Sequence, residues 1–144
     1  MIDFTPAQAT PRIAAMLAAH ESRTLEFKRM GENKVVRKLL ETICAFANTD
    51  GGILALGVAD ERQASGTARF YGIEENAEAL DELIRKVRTQ FHPTIETISF
   101  MRLPCTLRDS KAGHVGWCAP PEATRCIPLW TMVRGCGWIR ATAR

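Results

Sequence analysis

Apolar positions recur with a period of two in some segments of the chain and with a helical period in others. Residues 24–28 alternate between apolar and charged side chains, which predicts a short strand. The continuous apolar run 53–58 predicts a central strand that is covered on both faces. Residues 69–73 and 94–103 predict two further strands, and the second needs a bulge or a change of register to bring its apolar residues onto one face.

Helical spacing of apolar residues marks two longer segments, 34–48 and 74–91, and a shorter one near the N-terminus. The acids of 74–91 come early and its bases late, which suits the helix dipole. Thr5-Pro6 has the order of a helix start, although Pro11 suggests that the helix proper begins there. We expect the core to contain Leu39, Ile43, Phe46, Leu56, Leu83 and Val87.

This order of strands and helices predicts an α/β (α+β layered) fold, with a single mixed sheet and helices packed on it. The 144 residues suit a single domain, 1–144, with an N-terminal helical segment at 1–20. No apolar run approaches the roughly 20 residues of a membrane span, and the first residues lack the pattern of a secretion signal. Five cysteines without a CxxC pair, Cys44 among them as a small apolar helix residue, favour a cytoplasmic protein.

The last part of the chain, 104–144, is predicted to be an irregular tail. Residues 117–133 combine prolines, tryptophans and cysteines without any periodicity. Codons can be chosen for this peptide that, in a neighbouring frame, encode a strand–turn–strand pattern. We therefore hypothesise a pair of compensating frameshifts in the coding sequence, with an irregular C-terminal loop as the simpler interpretation.

Two groups of charged residues are candidates for chemistry. Glu21, Glu26 and Asp60 are candidate catalytic and metal-binding carboxylates, with Lys28 beside them, because Mg²⁺ and Mn²⁺ prefer hard oxygen ligands. Asp50 is a rival third acid, and a surface ion pair at Glu26 is the simpler interpretation.

The second group is basic and follows the first predicted strand into the next helix. Such a stripe contacts phosphates without reading base sequence, although most charged helix faces are merely solvated. A net charge of +3 permits an acidic partner without requiring one. The candidate nucleic-acid-binding residues are Lys28, Arg29, Lys34, Arg37 and Lys38.

Three segments carry recognisable motifs: Glu21-Ser22-Arg23-Thr24-Leu25-Glu26-Phe27-Lys28, Ala45-Phe46-Ala47-Asn48-Thr49-Asp50-Gly51-Gly52 and Leu56-Gly57-Val58-Ala59-Asp60. Together they resemble the Schlafen-type AlbA-like domain, most clearly over 21–60, more loosely to residue 103, and faintly at 137–140. The resemblance implies a nucleic-acid-binding module of the kind found in bacterial regulators and Schlafen proteins. In ribonuclease-active Schlafen proteins an equivalent acid trio cleaves RNA, and the matching positions here are Glu21, Glu26 and Asp60.

We therefore expect a nucleic-acid-binding domain, for DNA or RNA, of a transcriptional regulator or defence-type protein. One alternative is an endoribonuclease that uses magnesium or manganese, and another is an inactive remnant of such an enzyme, so enzymatic activity stays open. No P-loop motif occurs, so nucleotide hydrolysis is not inferred. A homo-oligomer, and a chain that is a fragment of a longer protein, also stay open.

Overall fold

The computed structural model describes residues 1–95, 98–120 and 126–132. Its strands are β1 (Ile2–Asp3), β2 (Leu25–Lys28), β3 (Ile53–Leu56), β4 (Phe91–His92), β5 (Ser99–Thr106), β6 (Ala112–Ala119) and β7 (Ile127–Pro128). Its helices are α1 (Pro6–Ala18), α2 (Val35–Ala47), α3 (Ala77–Val87) and the single turn α4 (Leu129–Met132).

Five strands form one mixed sheet in the order β1-β5-β6-β3-β2. The two edge strands run parallel to their neighbours, β1 to β5 and β2 to β3, whereas β6 is antiparallel to both β3 and β5. Strands β4 and β7 form a separate two-stranded antiparallel sheet. The predicted α/β fold with a mixed sheet is therefore confirmed, and residues 25–28 pair with 53–56 within that sheet.

Helices cover both faces of the five-stranded sheet. One apolar core lies between the sheet and α2 and α3, and a second lies between the opposite face and α1. Alternate residues of β3 serve the two cores, since Leu54 and Leu56 enter the first and Ala55 enters the second. All six predicted core residues are buried in the first core.

Helix α2 connects the parallel strands β2 and β3, which is the crossover that a parallel pair requires. Its last turn is closed by the backbone amides of Asn48 and Gly51, which donate to Cys44 and Phe46 carbonyls at 3.0 and 2.9 Å. Gly51 has φ +75, a conformation that glycine adopts without strain. The glycine turn therefore ends the helix and returns the chain to the start of β3.

The segment 69–73 does not form the strand that its apolar residues suggested. Residues Gly66–Arg69 and Ile73–Asn76 form 3₁₀ turns, and Phe70 makes a single antiparallel bridge with Val58. The backbone amides of Tyr71 and Gly72 both donate to the Gly57 carbonyl at 2.9 Å, which turns the chain instead of extending a ladder.

Both ends of the described chain also differ from expectation. Helix α1 begins at Pro6 rather than Pro11, because Thr5 and Gln8 form a reciprocal capping box. The expected irregular tail contains regular strands: β5 continues to Thr106, and β6 pairs with β5 along its whole length and with β3 over residues 116–118. Residues 121–125 and 133–144, with the faint motif at 137–140, lie outside the described residues.

No helix among the described residues is both long enough and apolar enough to cross a bilayer.

Candidate nucleic-acid interface

The sheet topology brings the candidate acids to one place. Strands β2 and β3 are parallel, so Lys28 at the end of β2 and Asp60 just after β3 lie at the same edge of the sheet. Glu21 reaches the same region through a tight turn, in which the backbones of Ser22 and Leu25 exchange hydrogen bonds of 2.9 and 3.3 Å. That turn folds the chain back so that Glu21 comes opposite Glu26.

A cavity of about 150 Å³ forms where these segments meet, and we call it the acid pocket. The pocket carries charges of both signs, because three candidate acids and two candidate bases line it. Its lining residues are Glu21, Glu26, Phe27, Lys28, Arg29, Glu32, Ala59, Asp60 and Gln63. Asp50 lies before β3, at the opposite end of that strand from Asp60, and pairs with Arg23 at 2.5 Å.

The pKa values of two carboxyl groups in the acid pocket are shifted in opposite directions. Partial burial, followed by the negative charges of Asp60 and Glu26, raises the pKa of Glu21. The backbone N–H of Arg62, which donates to Asp60 Oδ1 at 2.9 Å, lowers the pKa of Asp60, and the Arg62 charge adds to this effect. Glu21 is therefore close enough to be repelled by Asp60 and, less strongly, by Glu26, while Asp60 is held as an anion by its own loop.

The donor chemistry of the acid pocket suits a hard divalent cation, because its carboxylates supply oxygen ligands. Their present spacing does not form a metal site, since no group of three or more Asp, Glu, His or Cys side chains in the described part of the chain is close enough to hold an ion. Asp60 is moreover engaged by Arg62, whose Nη2 lies 3.5 Å from Asp60 Oδ2. The residues as placed thus do not fit a resident metal.

Arg69 supports the floor of the acid pocket and was not recognised in the sequence. It is almost wholly buried, and its Nε donates to the Ala59 carbonyl at 3.0 Å. Its guanidinium also lies 4.3 Å from the centre of the Phe27 ring. Since Phe27 and Ala59 both line the pocket, Arg69 ties β2 to the loop that carries Asp60.

Two of the five candidate basic residues meet at a single acid. Lys28 Nζ lies 3.7 Å and Lys38 Nζ 3.6 Å from the same oxygen of Glu32, so two cations from β2 and α2 converge there. Lys34 is exposed and has φ +55 at the start of α2. Lys34 and Arg37 line a larger cleft of about 950 Å³ between α2 and α3, which also contains acids and bases of α3.

Two aromatic rings hold the arginines of this surface, and neither was singled out from the sequence. The guanidinium of Arg37 lies 3.9 Å from the ring centre of Trp130, which comes from α4. Arg29 and Arg108 both stack on Tyr71, at 3.6 and 4.3 Å from its ring centre.

Glu75 fixes Arg29 in place. Its carboxylate accepts from Arg29, including a 3.3 Å bond from Nε, and from the Gly31 backbone N–H at 2.9 Å. The Arg29 guanidinium is the main cause that lowers the pKa of Glu75. Sequence reasoning missed Tyr71 and Arg108 because their neighbours along the chain give no hint of the stack, which depends on a contact across 37 positions.

A comparison with protein families agrees with this architecture. The family model described as Schlafen, AlbA_2 matches residues 21–127, a range that holds β2 to β6, the whole acid pocket and the predicted basic residues. No curated protein matches the sequence at a significant level. Because the family model covers well over half of the chain, the protein belongs to the Schlafen AlbA_2 family.

Proposed function

We propose that this domain binds nucleic acid through one surface. That surface is formed by the end of β2, the first turns of α2, and the Tyr71 ring with Arg29 and Arg108 stacked on it. One observation carries the proposal: Lys28 and Lys38, from two different elements, both direct their ammonium groups at the Glu32 carboxylate. A backbone phosphate has the same charge type and hydrogen-bonding pattern as that carboxylate. It can therefore displace Glu32 and keep both cations paired.

The energetics favour such an exchange. Lys38 and Glu32 are partly solvated, so their ion pair contributes about 0–1 kcal/mol to folding and is easily given up. Lys28 is less free, because only 19% of its side chain is exposed, and it also lines the acid pocket. Membership of a family with a nucleic-acid-related role supports the same conclusion. The proposal covers three alternative targets, which are duplex DNA, single-stranded RNA and structured RNA.

The test is a charge reversal at the start of α2. The double variant Arg37→Glu and Lys38→Glu should weaken binding of all three nucleic acids to a similar degree, because phosphate contacts carry no base information. The slope of log Kd against log salt concentration should become smaller by an amount that corresponds to the loss of about one to two phosphate contacts. The matched control is Arg12→Glu with Arg88→Glu, which changes the net charge equally on α1 and at the end of α3.

Equal loss of affinity in the control would mean that net charge, rather than this surface, controls binding. Affinity that does not respond to salt in the native protein would also contradict phosphate recognition.

A second candidate function is divalent-metal-dependent endoribonuclease activity, which requires the carboxylates of the acid pocket to move closer together around an added ion than they are placed here. The meeting of Glu21, Glu26 and Asp60 in one pocket supports it, because an added cation would offset both the partial burial of Glu21 and the repulsion from its acidic neighbours. Glu26→Gln keeps the shape of the side chain and removes its charge, so we expect it to abolish cleavage and to retain RNA binding. Asp50→Asn is the matched control, since Asp50 lies at the other end of β3.

Cleavage of transfer RNA and single-stranded RNA would be measured with manganese and with chelator. The nuclease proposal requires cleavage that depends on manganese, that disappears in Glu26→Gln and that persists in Asp50→Asn. No cleavage by the native protein in either condition, together with intact binding, would leave a binding module.

A further inference from the structure

We propose that Cys44 and Cys126 form a redox-active pair that closes a reversible disulfide bond between α2 and the segment 126–130. The two residues are 82 positions apart in the sequence, yet their Sγ atoms lie 3.7 Å from each other. That separation is a non-bonded contact between thiols, so closing the bond requires a side-chain rotation that brings the sulfurs to the roughly 2.05 Å of a disulfide. Both thiols are free in the structure.

Asn48 holds the pair together through the backbone. Its side-chain oxygen accepts from the Cys126 N–H at 2.9 Å, and its amide nitrogen donates to the Cys126 carbonyl at 3.0 Å. The same nitrogen lies 3.3 Å from Cys44 Sγ, one turn earlier on α2. The Asn48 side chain, at the end of α2, thus contacts both cysteines and holds the segment of Cys126 beside Cys44.

The local chemistry makes one sulfur the better nucleophile. The contact with the Cys44 sulfur lowers the pKa of Cys126, and the Asn48 amide adds to this effect. The same contact and partial burial raise the pKa of Cys44. Elsewhere, burial raises the pKa of Cys105 to about 11 and also raises that of Cys118, so those thiols are comparatively inert.

The oxidant we name is a peroxide. The Cys126 thiolate attacks one peroxide oxygen, a sulfur–oxygen bond forms, the oxygen–oxygen bond breaks and hydroxide leaves to be protonated. Cys44 sulfur then attacks the sulfenic sulfur, the disulfide forms, and the oxygen leaves as water with the Cys44 proton. In sum, two thiols and one hydrogen peroxide give one disulfide and two waters, and a thiol reductant reverses the change.

The sequence offers a direct assay, because trypsin places all five cysteines on different peptides. The reduced full chain is treated with limiting hydrogen peroxide, alkylated, digested without reduction and analysed by mass spectrometry. We expect peptide 39–62 joined to peptide 126–134, and separation of the two after dithiothreitol. Both peptides recovered alkylated while Cys105 is oxidised, or Cys126 joined mainly to the peptide of Cys136, would overturn the proposal.

Variants test the role of each partner. In Cys44→Ser the cross-linked species should be lost and Cys126 should be trapped as sulfenic acid by dimedone, whereas Cys105→Ser and Cys118→Ser should leave the yield unchanged. Asn48→Ala should slow formation of the disulfide bond by about tenfold, because the side chain that positions the two cysteines is gone. A native rate in a folded Asn48→Ala variant would refute this role of Asn48. A cross-link to Cys126 in Cys44→Ser would refute the pairing of Cys44 with Cys126.

Discussion

Gly57 is the position where a single methyl group should damage the fold most. It lies directly after β3 with φ +83. Its N–H donates to the Lys28 carbonyl at 2.8 Å, and its carbonyl accepts from Tyr71 and Gly72 at 2.9 Å each. A Cβ at this site would lie 2.6 Å from the Gly72 carbonyl carbon and 2.8 Å from the Ile73 nitrogen. Those atoms belong to the backbone, so they cannot rotate away.

Two costs add in Gly57→Ala. The left-handed conformation costs an L-residue about 1–2 kcal/mol, and forced displacement of packed backbone costs about 1–3 kcal/mol more. We therefore expect the free energy of unfolding to fall by roughly 2–5 kcal/mol. For a domain whose total stability is typically 5–15 kcal/mol, this is a large fraction.

Gly66→Ala is the matched control. Gly66 also has a positive φ, +59, but nothing lies within 4 Å of a Cβ built there. Only the conformational cost applies, and the stiffer unfolded chain offsets part of it, so a loss of about 1 kcal/mol or less is expected. The difference between the two variants isolates the steric cost at Gly57.

The assay is urea denaturation followed by far-ultraviolet circular dichroism, with linear extrapolation for both variants and the native chain. Unchanged slopes would allow direct comparison of the free energies. Equal losses in Gly57→Ala and Gly66→Ala would refute the reasoning, because they would show that the close approach of residues 72 and 73 has no energetic weight.

Three further perturbations follow from the core and the charged site. Leu56→Ala empties a fully buried position and should lower the free energy of unfolding by about 2–5 kcal/mol in the same denaturation assay; a loss below about 1 kcal/mol would contradict its place in the core. Glu21→Gln should raise the thermal midpoint at pH 7 but not near pH 4. Burial and the neighbouring charges raise the pKa of Glu21 on folding, so its ionised form destabilises the folded state above the ordinary carboxyl pKa. Equal midpoints of the variant and the native chain at pH 7 would argue against that destabilisation. Glu75→Gln should lower the free energy of unfolding by about 1–2 kcal/mol at pH 7, because it weakens the bonds to Arg29. That loss should shrink as acid protonates the native carboxylate, whose pKa is lowered on folding. A loss that does not change with pH would contradict the ionic contribution.

The sequence predicts the β2–α2–β3 unit well because its signals are local. Each element carries its own period, and the Asn48–Gly52 turn marks the end of the helix. Parallel pairing of two strands across a helix then follows from chain connectivity, and it accounts for the proximity of Lys28 and Asp60.

Features that depend on distant contacts could not be read in the same way. Strand β1 has two residues and exists through pairing with Met101 and Arg102, so no local pattern announces it. The prolines and cysteines near residue 118 suggested irregular structure, yet Cys118 is buried because β6 crosses the middle of the sheet. At the site, Trp130 reaches Arg37 across 93 positions, a contact that hydrophobic periodicity does not encode.

Strand β1 has a consequence for how copies of this chain behave at high concentration. It shields one edge of β5 through two paired residues, a 3.0 Å bond from Phe4 to Arg102 and a 2.7 Å ion pair between Asp3 and Arg102, while Ile2 stays 56% exposed. So small a shield opens with a local free energy far below that of global unfolding. Each opening uncovers the backbone groups of β5 at Met101 and Arg102, which can then pair with the same segment of another molecule. We therefore expect that the fraying of β1, which does not require the core to melt, opens this edge of the sheet to strand exchange between molecules.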